Sequence, residues 1–167
     1  MAAYLGNEQV MKTLLRNGAL ADVRDSDGRL ALDIAIVNSH VDGEDSCAAL
    51  LLKYGSPLSE ELWHKLLIFS LDKDLVIYVK LAHERGIYLH NVDDETKFSF
   101  HNAVCCGAKK IIAFLGETFG MQTMRRVGLT PDARAMTAVD YANISEDKAL
   151  QDLVSNTIGD KLLQVKP

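Results

Sequence analysis

Short apolar segments at helical spacing recur along the chain, and each of them ends near a glycine. Val10, Leu14 and Leu15 share one face of a predicted helix that stops at Gly18. Comparable segments occupy residues 47–55, 76–86 and 111–120. A glycine directly after the last turn suits the left-handed conformation that closes many helices. The pattern predicts a series of helices with marked ends and favours an all-α chain.

A second kind of segment accompanies these helices. The string alanine–apolar–aspartate–apolar–alanine occurs in residues 30–35 and 136–142, and residues 98–103 keep the frame with histidine in place of aspartate. Ala2 lies 33 residues before Ala35, and self-similarity at such a period is typical of helical repeats. The small residues that recur at the closing position are Ala35, Ser70, Ala103 and Ala142.

This pattern resembles the ankyrin repeat, a unit of about 33 residues in which a β-turn and two antiparallel helices surround a Thr-Pro-Leu-His-x-Ala signature. Thr-Pro is absent from every copy in this chain, so the resemblance rests on register, glycines and apolar spacing. It implies an all-α repeat solenoid of stacked helix-turn-helix units. Short β-turns, here called fingers, would connect one unit to the next.

The resemblance covers the chain as a single domain over residues 1–167. In the predicted repeat at 25–57, the segment between Val41 and Ser46 holds an insertion of about four residues, which predicts a longer connection between the two helices of this repeat. The predicted units are a truncated repeat at 1–24, a complete repeat at 25–57, a degenerate repeat at 58–92, a repeat at 93–131 and a C-terminal capping repeat at 132–167.

Composition narrows the class of partner. The 167 residues are 48% hydrophobic with a net charge of −5, and acidic residues outnumber basic ones in both halves. A nucleic-acid-binding chain normally carries a Lys/Arg-rich patch, so no nucleic-acid partner is expected. The longest apolar stretches fall short of the roughly 18–20 residues that a membrane helix needs, and no signal peptide is visible. Three cysteines, two of them adjacent, favour a reducing cytoplasmic or nuclear setting.

Two acidic clusters raise the question of a metal site. If Gly28 takes the sixth position of an EF-hand loop, Val23 and Ile34 fall where the first and last ligands belong, so Asp25 and Asp27 are expected to stabilise a turn instead. The second cluster, at residues 42–45, is expected to be a solvated loop or an acidic patch. No metal or cofactor is therefore predicted.

Cys105 and His101 lie four residues apart on a predicted helix, where a thiol and a general base could share a face. No orienting third group or oxyanion hole accompanies them. The resemblance implies that His101 instead bonds the backbone of a neighbouring turn. No catalysis is expected, and a small thiol enzyme is retained as an alternative. Trp63 is expected in the core, with an exposed binding anchor as the alternative.

The resemblance implies protein–protein recognition by the inner helices and fingers. The expected partner is a segment with apolar anchors and some Lys or Arg. A recruiting or regulatory domain of a larger enzyme or effector protein is the alternative. The predicted groove residues are Tyr4, Leu5, Val37, Asn38, Leu71, Asp72, Lys73, Cys105 and Cys106, and the predicted finger-tip residues are Arg24, Ser26, Asp27, Arg29, Asn91, Asp93, Asp94 and Glu95.

Overall fold

The computed structural model describes residues 1–87 and 99–159, apart from the side chains of Glu60 and Glu61. Ten helices and no β-strand lie within these ranges, so the fold class is all-α as predicted. The chain divides into two compact units, Met1–Ser59 and Glu60–Pro167.

The first unit contains two helical hairpins. Helix α1 packs against α3, and α2 packs against α4. Met11 and Leu15 face the core of the unit, whereas Val10 and Leu14 are exposed, so the predicted apolar face of α2 is wrong for these last two residues. The helices are α1 (Ala2–Leu5), α2 (Glu8–Arg16), α3 (Ala31–Val37) and α4 (Cys47–Lys53).

The second unit is built from longer helices, of which α8 and α10 pack against each other most extensively. Trp63 is buried in α5, and the guanidinium carbon of Arg85 lies 5.7 Å from the centre of its ring. Trp63 is therefore a core residue, and the alternative of an exposed binding anchor is wrong. The helices are α5 (Glu60–Asp72), α6 (Val76–Glu84), α7 (Phe100–Cys105), α8 (Lys109–Leu129), α9 (Ala138–Ile144) and α10 (Lys148–Ile158).

The same backbone turn closes α1 to α7, and in α1, α3, α5 and α7 the residue that accepts its bond is small. After Ala35 the chain passes through Ser39 at φ 59°, and the N–H of His40 donates to the carbonyl of Ala35 at 2.9 Å. This is the bond of a left-handed helix cap. The equivalent donor and acceptor pairs are Asn7 and Ala2, Leu75 and Ser70, and Ala108 and Ala103.

The connection between α3 and α4 is longer than its counterparts, as the insertion predicts. It spans residues 38–46, whereas residues 6–7 connect α1 to α2. The Asp45 carboxylate lies 3.2 Å from the ammonium of Lys12 and 3.8 Å from that of Lys53. Lys53 also donates to the carbonyl of Glu44 at 2.8 Å. These contacts hold the inserted loop against α2 and α4. They also neutralise part of the negative charge of its acidic cluster at residues 42–45.

Helix α8 does not end near Gly120 as the apolar pattern predicts. Gly120 alone leaves the helical region, at φ 73° and ψ 159°, and the helix resumes at once over residues 121–129. Met124 and Val127 in this second half are buried. A Cβ added at Gly128 would lie 2.8 Å from Cγ2 of Ile158, so this half packs closely on α10. The apolar pattern does not predict this extra helical segment.

The break at Gly120 predicts an unequal cost for two glycine substitutions. Gly120→Ala should lower the free energy of unfolding by about 2–3 kcal/mol, since only glycine readily adopts this conformation. Gly107→Ala should cost about 1 kcal/mol, because its φ of 68° is left-handed but less restrictive. A Cβ at either position meets no described atom within 4 Å, so urea denaturation compares the two backbones directly. Equal losses would contradict the assignment of Gly120 as a required break.

Candidate functional site

The turn at residues 24–30 is stabilised by its own carboxylate. Asp25 accepts hydrogen bonds from the backbone N–H of Asp27 at 3.0 Å and of Arg29 at 2.9 Å. The Arg29 guanidinium lies 2.9 Å from Asp25 and 2.6 Å from Asp27. The backbone and then the side chain of Arg29 hold the pKa of Asp25 below its usual value. The prediction that Asp25 and Asp27 stabilise a turn is confirmed for this segment.

The same turn recurs 107 residues later, at Asp132. Its carboxylate accepts from the backbone N–H of Arg134 at 2.9 Å and of Met136 at 3.0 Å. Ala135 takes the place of Gly28, at φ 58° against 77°. The two turns therefore have the same hydrogen-bond pattern, although the aspartate at Asp25 and Asp132 is the one residue that they share.

Exchanging alanine and glycine between the two turns should change stability in opposite directions. Ala135→Gly should raise the free energy of unfolding by up to about 1 kcal/mol, because a left-handed alanine is strained. Gly28→Ala should lower it by about the same amount, since the added Cβ meets no described atom. Thermal unfolding followed by circular dichroism measures both. A loss of stability in both variants would show that the two turns are not equivalent.

Three of the four described finger-tip residues make contacts within the turn at residues 24–30. Arg24 donates to the carbonyl of Gly28 at 2.6 Å, and Arg29 is paired with both aspartates. Ser26 is exposed. Arg24, Asp27 and Arg29 therefore stabilise the turn, whatever else they contact. The remaining finger-tip candidates, Asn91, Asp93, Asp94 and Glu95, lie outside the described residues.

An open depression of about 320 Å³ lies between α1 and α3 in the first unit. Val37 is 81% exposed although its helix buries Leu32 and Ala35, and Tyr4 is exposed in the same way. The structure thus brings together four of the predicted binding residues. The lining residues are Tyr4, Arg29, Asp33, Ile34, Val37 and Asn38, and this set is called the depression below.

Sequence reasoning missed Asp33 and Ile34, because they lie inside the repeated string rather than after it. Asp33 accepts from the backbone N–H of Leu30 at 2.8 Å, which anchors the start of α3. Asn38 donates to the carbonyl of Ile34 at 2.7 Å at the other end of the helix. The polar lining of the depression is thereby fixed in place by the helix termini.

The charge around the depression is negative. The four charges of the turn, on Arg24, Asp25, Asp27 and Arg29, cancel, and Asp33 leaves the surroundings of the depression with one negative charge. Tyr4 is an uncharged neighbour. An apolar surface bordered by carboxylates favours ligands that present an apolar group beside a cation.

Leu71 is not a binding residue. It is 2% exposed and lies four residues after Leu67, which is also buried, so both belong to the core-facing side of α5. The prediction that Leu71 lines a groove is wrong. Asp72 and Lys73, which follow it, are exposed, and the Lys73 ammonium lies 5.6 Å from the centre of the Phe69 ring.

The side chain of His101 is hydrogen-bonded to the backbone. Its Nε2 lies 2.9 Å from the carbonyl oxygen of Thr130, which requires Nε2–H as the donor. Burial lowers its pKa, against the opposing effects of the Thr130 bond and of Asp132, so the ring is neutral. Its Nδ1 is buried and has no partner among the described residues. The bond to the turn backbone is the one that the ankyrin resemblance implies.

The two adjacent thiols show no sign of activation. Cys105 and Cys106 are exposed, and Nδ1 of His101, the nitrogen that could accept a thiol proton, makes no hydrogen bond to either sulfur. Partial burial, then the neighbouring Cys105 and Asp72, raise the pKa of Cys106, which keeps this thiol protonated. A nucleophilic cysteine requires the opposite environment.

No protein-family model matches the chain, and no curated protein matches it significantly. Among the residues that the structure describes, no three His, Cys, Asp or Glu side chains come together in a way that could hold a metal ion. None of the described helices is long and apolar enough to cross a membrane. The function is therefore inferred from the geometry of the site.

Burial of neutral His101 predicts a loss of stability in mild acid. The folded-state pKa is lowered, so below about pH 6.5 the unfolded chain binds a proton that the folded chain refuses. The free energy of unfolding should fall as the pH drops from 6.5. His101→Gln keeps an N–H donor without a titrating group, so its stability should change less between pH 6.5 and 5.

Chemical denaturation at several pH values makes this comparison. Asp25 and Asp140, whose pKa values are lowered by hydrogen bonds, act only near and below their ordinary value of about 3.8 and leave the window clear. Identical slopes for the wild type and His101→Gln would contradict the assignment.

Proposed function

We propose that the chain is a protein-recognition module whose helical hairpins stack in an ankyrin-like solenoid. Three observations support the proposal: the shared turn that closes α1 to α7, the two equivalent turns at Asp25 and Asp132, and the bond from His101 to the carbonyl of Thr130 just before the second of these turns. Units of this kind bury their core between neighbours and bind partners on an extended surface.

The depression is the proposed binding site, and the exposure of Val37 carries this proposal. A β-branched residue at the end of a helix that buries Leu32 and Ala35 gains nothing for the fold by facing water. Tyr4 and Ile34 stand beside it, so a partner side chain could cover three apolar groups at once. Asp33 and Asn38 supply polar groups at the border of the same site.

The proposed occupant is a peptide segment that carries an aliphatic or aromatic anchor next to Lys or Arg. The apolar lining suits the anchor, and the carboxylate of Asp33 suits the cation. The charges would act mainly on the association rate and on the choice of partner. The same surface would serve a recruiting domain of a larger enzyme or effector protein. No observation favours the small thiol enzyme.

Selection from a library of random displayed peptides tests the proposal. Selected peptides should combine an apolar anchor with Lys or Arg. Val37→Asp should weaken their binding about tenfold or more, because a charged group would stand among the apolar contacts. Isothermal titration calorimetry measures the affinity of each variant.

Leu20→Asp is the matched control, since Leu20 is a similarly exposed aliphatic residue outside the depression. It should bind the selected peptides as the wild type does. Equal binding by Val37→Asp and the wild type, with both variants folded, would contradict the proposed site.

A further inference from the structure

Glycine follows an aspartate or an asparagine at three places in the chain, and all three lie in the first unit. In such a dipeptide the backbone nitrogen of the glycine can attack the preceding side-chain carbonyl carbon and close a five-membered ring. Glycine favours this reaction because no Cβ crowds its nitrogen. The dipeptides are Asn17–Gly18, Asp27–Gly28 and Asp42–Gly43. They are candidates for a spontaneous covalent modification.

The end of α2 holds both reacting groups of the first dipeptide. The side-chain amide of Asn17 donates to the carbonyl of Thr13 at 2.7 Å, and the N–H of Gly18 donates to the carbonyl of Leu15 at 3.1 Å. The ring can therefore close only after this helix end has opened. An amide also leaves as ammonia, whereas a carboxyl group loses water, so the two aspartate dipeptides are the pair that can be compared directly.

The second dipeptide lies inside the turn at residues 24–30. The N–H of Gly28 donates to the carbonyl of Asp25 at 3.0 Å, and the Asp27 carboxylate lies 2.6 Å from the guanidinium of Arg29. The side chain of Asp25 fixes the same turn through its bonds to the N–H groups of Asp27 and Arg29. The turn must therefore open before the nitrogen of Gly28 can reach the carboxyl carbon.

The third dipeptide lies in the longer connection between α3 and α4, and its aspartate is exposed. The N–H of Gly43 donates to no residue that the structure describes, and its carbonyl accepts one long bond from Ser46 at 3.4 Å. A Cβ added at Gly28 or at Gly43 would meet no described atom within 4 Å, so neither glycine is crowded. The two aspartate dipeptides therefore differ in whether the attacking nitrogen is hydrogen-bonded.

We propose that Asp42 is a site of spontaneous isomerisation in the folded protein. The nitrogen of Gly43 forms a bond to the carboxyl carbon of protonated Asp42, and the bond from this carbon to its hydroxyl breaks. The hydroxyl leaves as water with the proton of that nitrogen. Water then adds to the cyclic imide. Addition at the side-chain carbonyl restores aspartate, whereas addition at the main-chain carbonyl yields isoaspartate of unchanged mass.

Isomerisation reroutes the backbone through the side chain of Asp42. The main chain gains one methylene, and the former main-chain carbonyl becomes a free carboxylate, the group that isoaspartyl methyltransferases esterify. The contacts that hold the inserted loop follow directly, where Asp45 pairs with Lys12 and the carbonyl of Glu44 accepts from Lys53. The modification would thus act on the loop that contacts α2 and α4. It does not depend on the proposed function, which concerns the depression.

Prolonged incubation of the folded protein at neutral pH, followed by digestion with trypsin, tests the proposal. Trypsin cuts after Arg24, Arg29 and Lys53, so Asp27 and Asp42 fall on separate peptides. An isoaspartyl methyltransferase and labelled S-adenosylmethionine then measure isoaspartate on each peptide. Because a hydrogen bond must open first in the turn, isoaspartate should accumulate about fivefold faster at Asp42 than at Asp27.

The same incubation in urea is the matched control, because both dipeptides are unprotected in an unfolded chain. The two peptides should then form isoaspartate at similar rates. Asp42→Glu keeps the charge but would require a six-membered ring, so it should remove the signal from its peptide. Equal rates at Asp27 and Asp42 in the folded protein would overturn the proposal, as would a difference that persists in urea. A signal that survives Asp42→Glu would overturn it as well, since the reaction would then lie at another residue.

Discussion

The backbone bond that closes α1 to α7 sets where each of these helices ends and which residues its last turn exposes. In the first hairpins it joins Asn7 to Ala2 and His40 to Ala35, and it requires a left-handed residue just before the donor. The helix therefore ends within one turn of the small residue. The residue two positions after the small one, Tyr4 in α1 and Val37 in α3, lies beyond the core and faces water. The turn that makes the hairpin thus also presents the apolar surface of the depression.

The polar groups of this structure act mostly on the backbone. Asp25 and Asp132 each hold a finger, and Asp74 accepts from the N–H groups of Lys110 and Ile111 at the start of α8. His101 does the same for the carbonyl of Thr130. Polar side chains placed at turns and helix starts satisfy backbone groups that the helices leave unpaired. The proposed recognition therefore depends mainly on exposed apolar residues such as Val37.

The sequence predicted most of the helix ends and missed features that depend on contacts between helices. Small residues at a fixed period located the helix turns, and Gly28 with its aspartates located the turn at residues 24–30. The second half of α8 was missed because Gly120 looks like any closing glycine, although its backbone allows the helix to restart. Leu71 was misplaced because register alone does not show that it lies one turn from buried Leu67. Asp33 and Ile34 were passed over because lining a depression depends on the neighbouring helix.

A nuclear magnetic resonance titration of the isotopically labelled protein with a selected apolar–basic peptide tests the central claim most directly. Backbone amide shifts report which residues sense the ligand, without any substitution. The account predicts saturable shifts centred on Tyr4, Ile34, Val37 and Asn38, with smaller shifts in the finger at residues 24–30. Shifts confined to residues 60–159, or none around α1 and α3 at saturation, would contradict it.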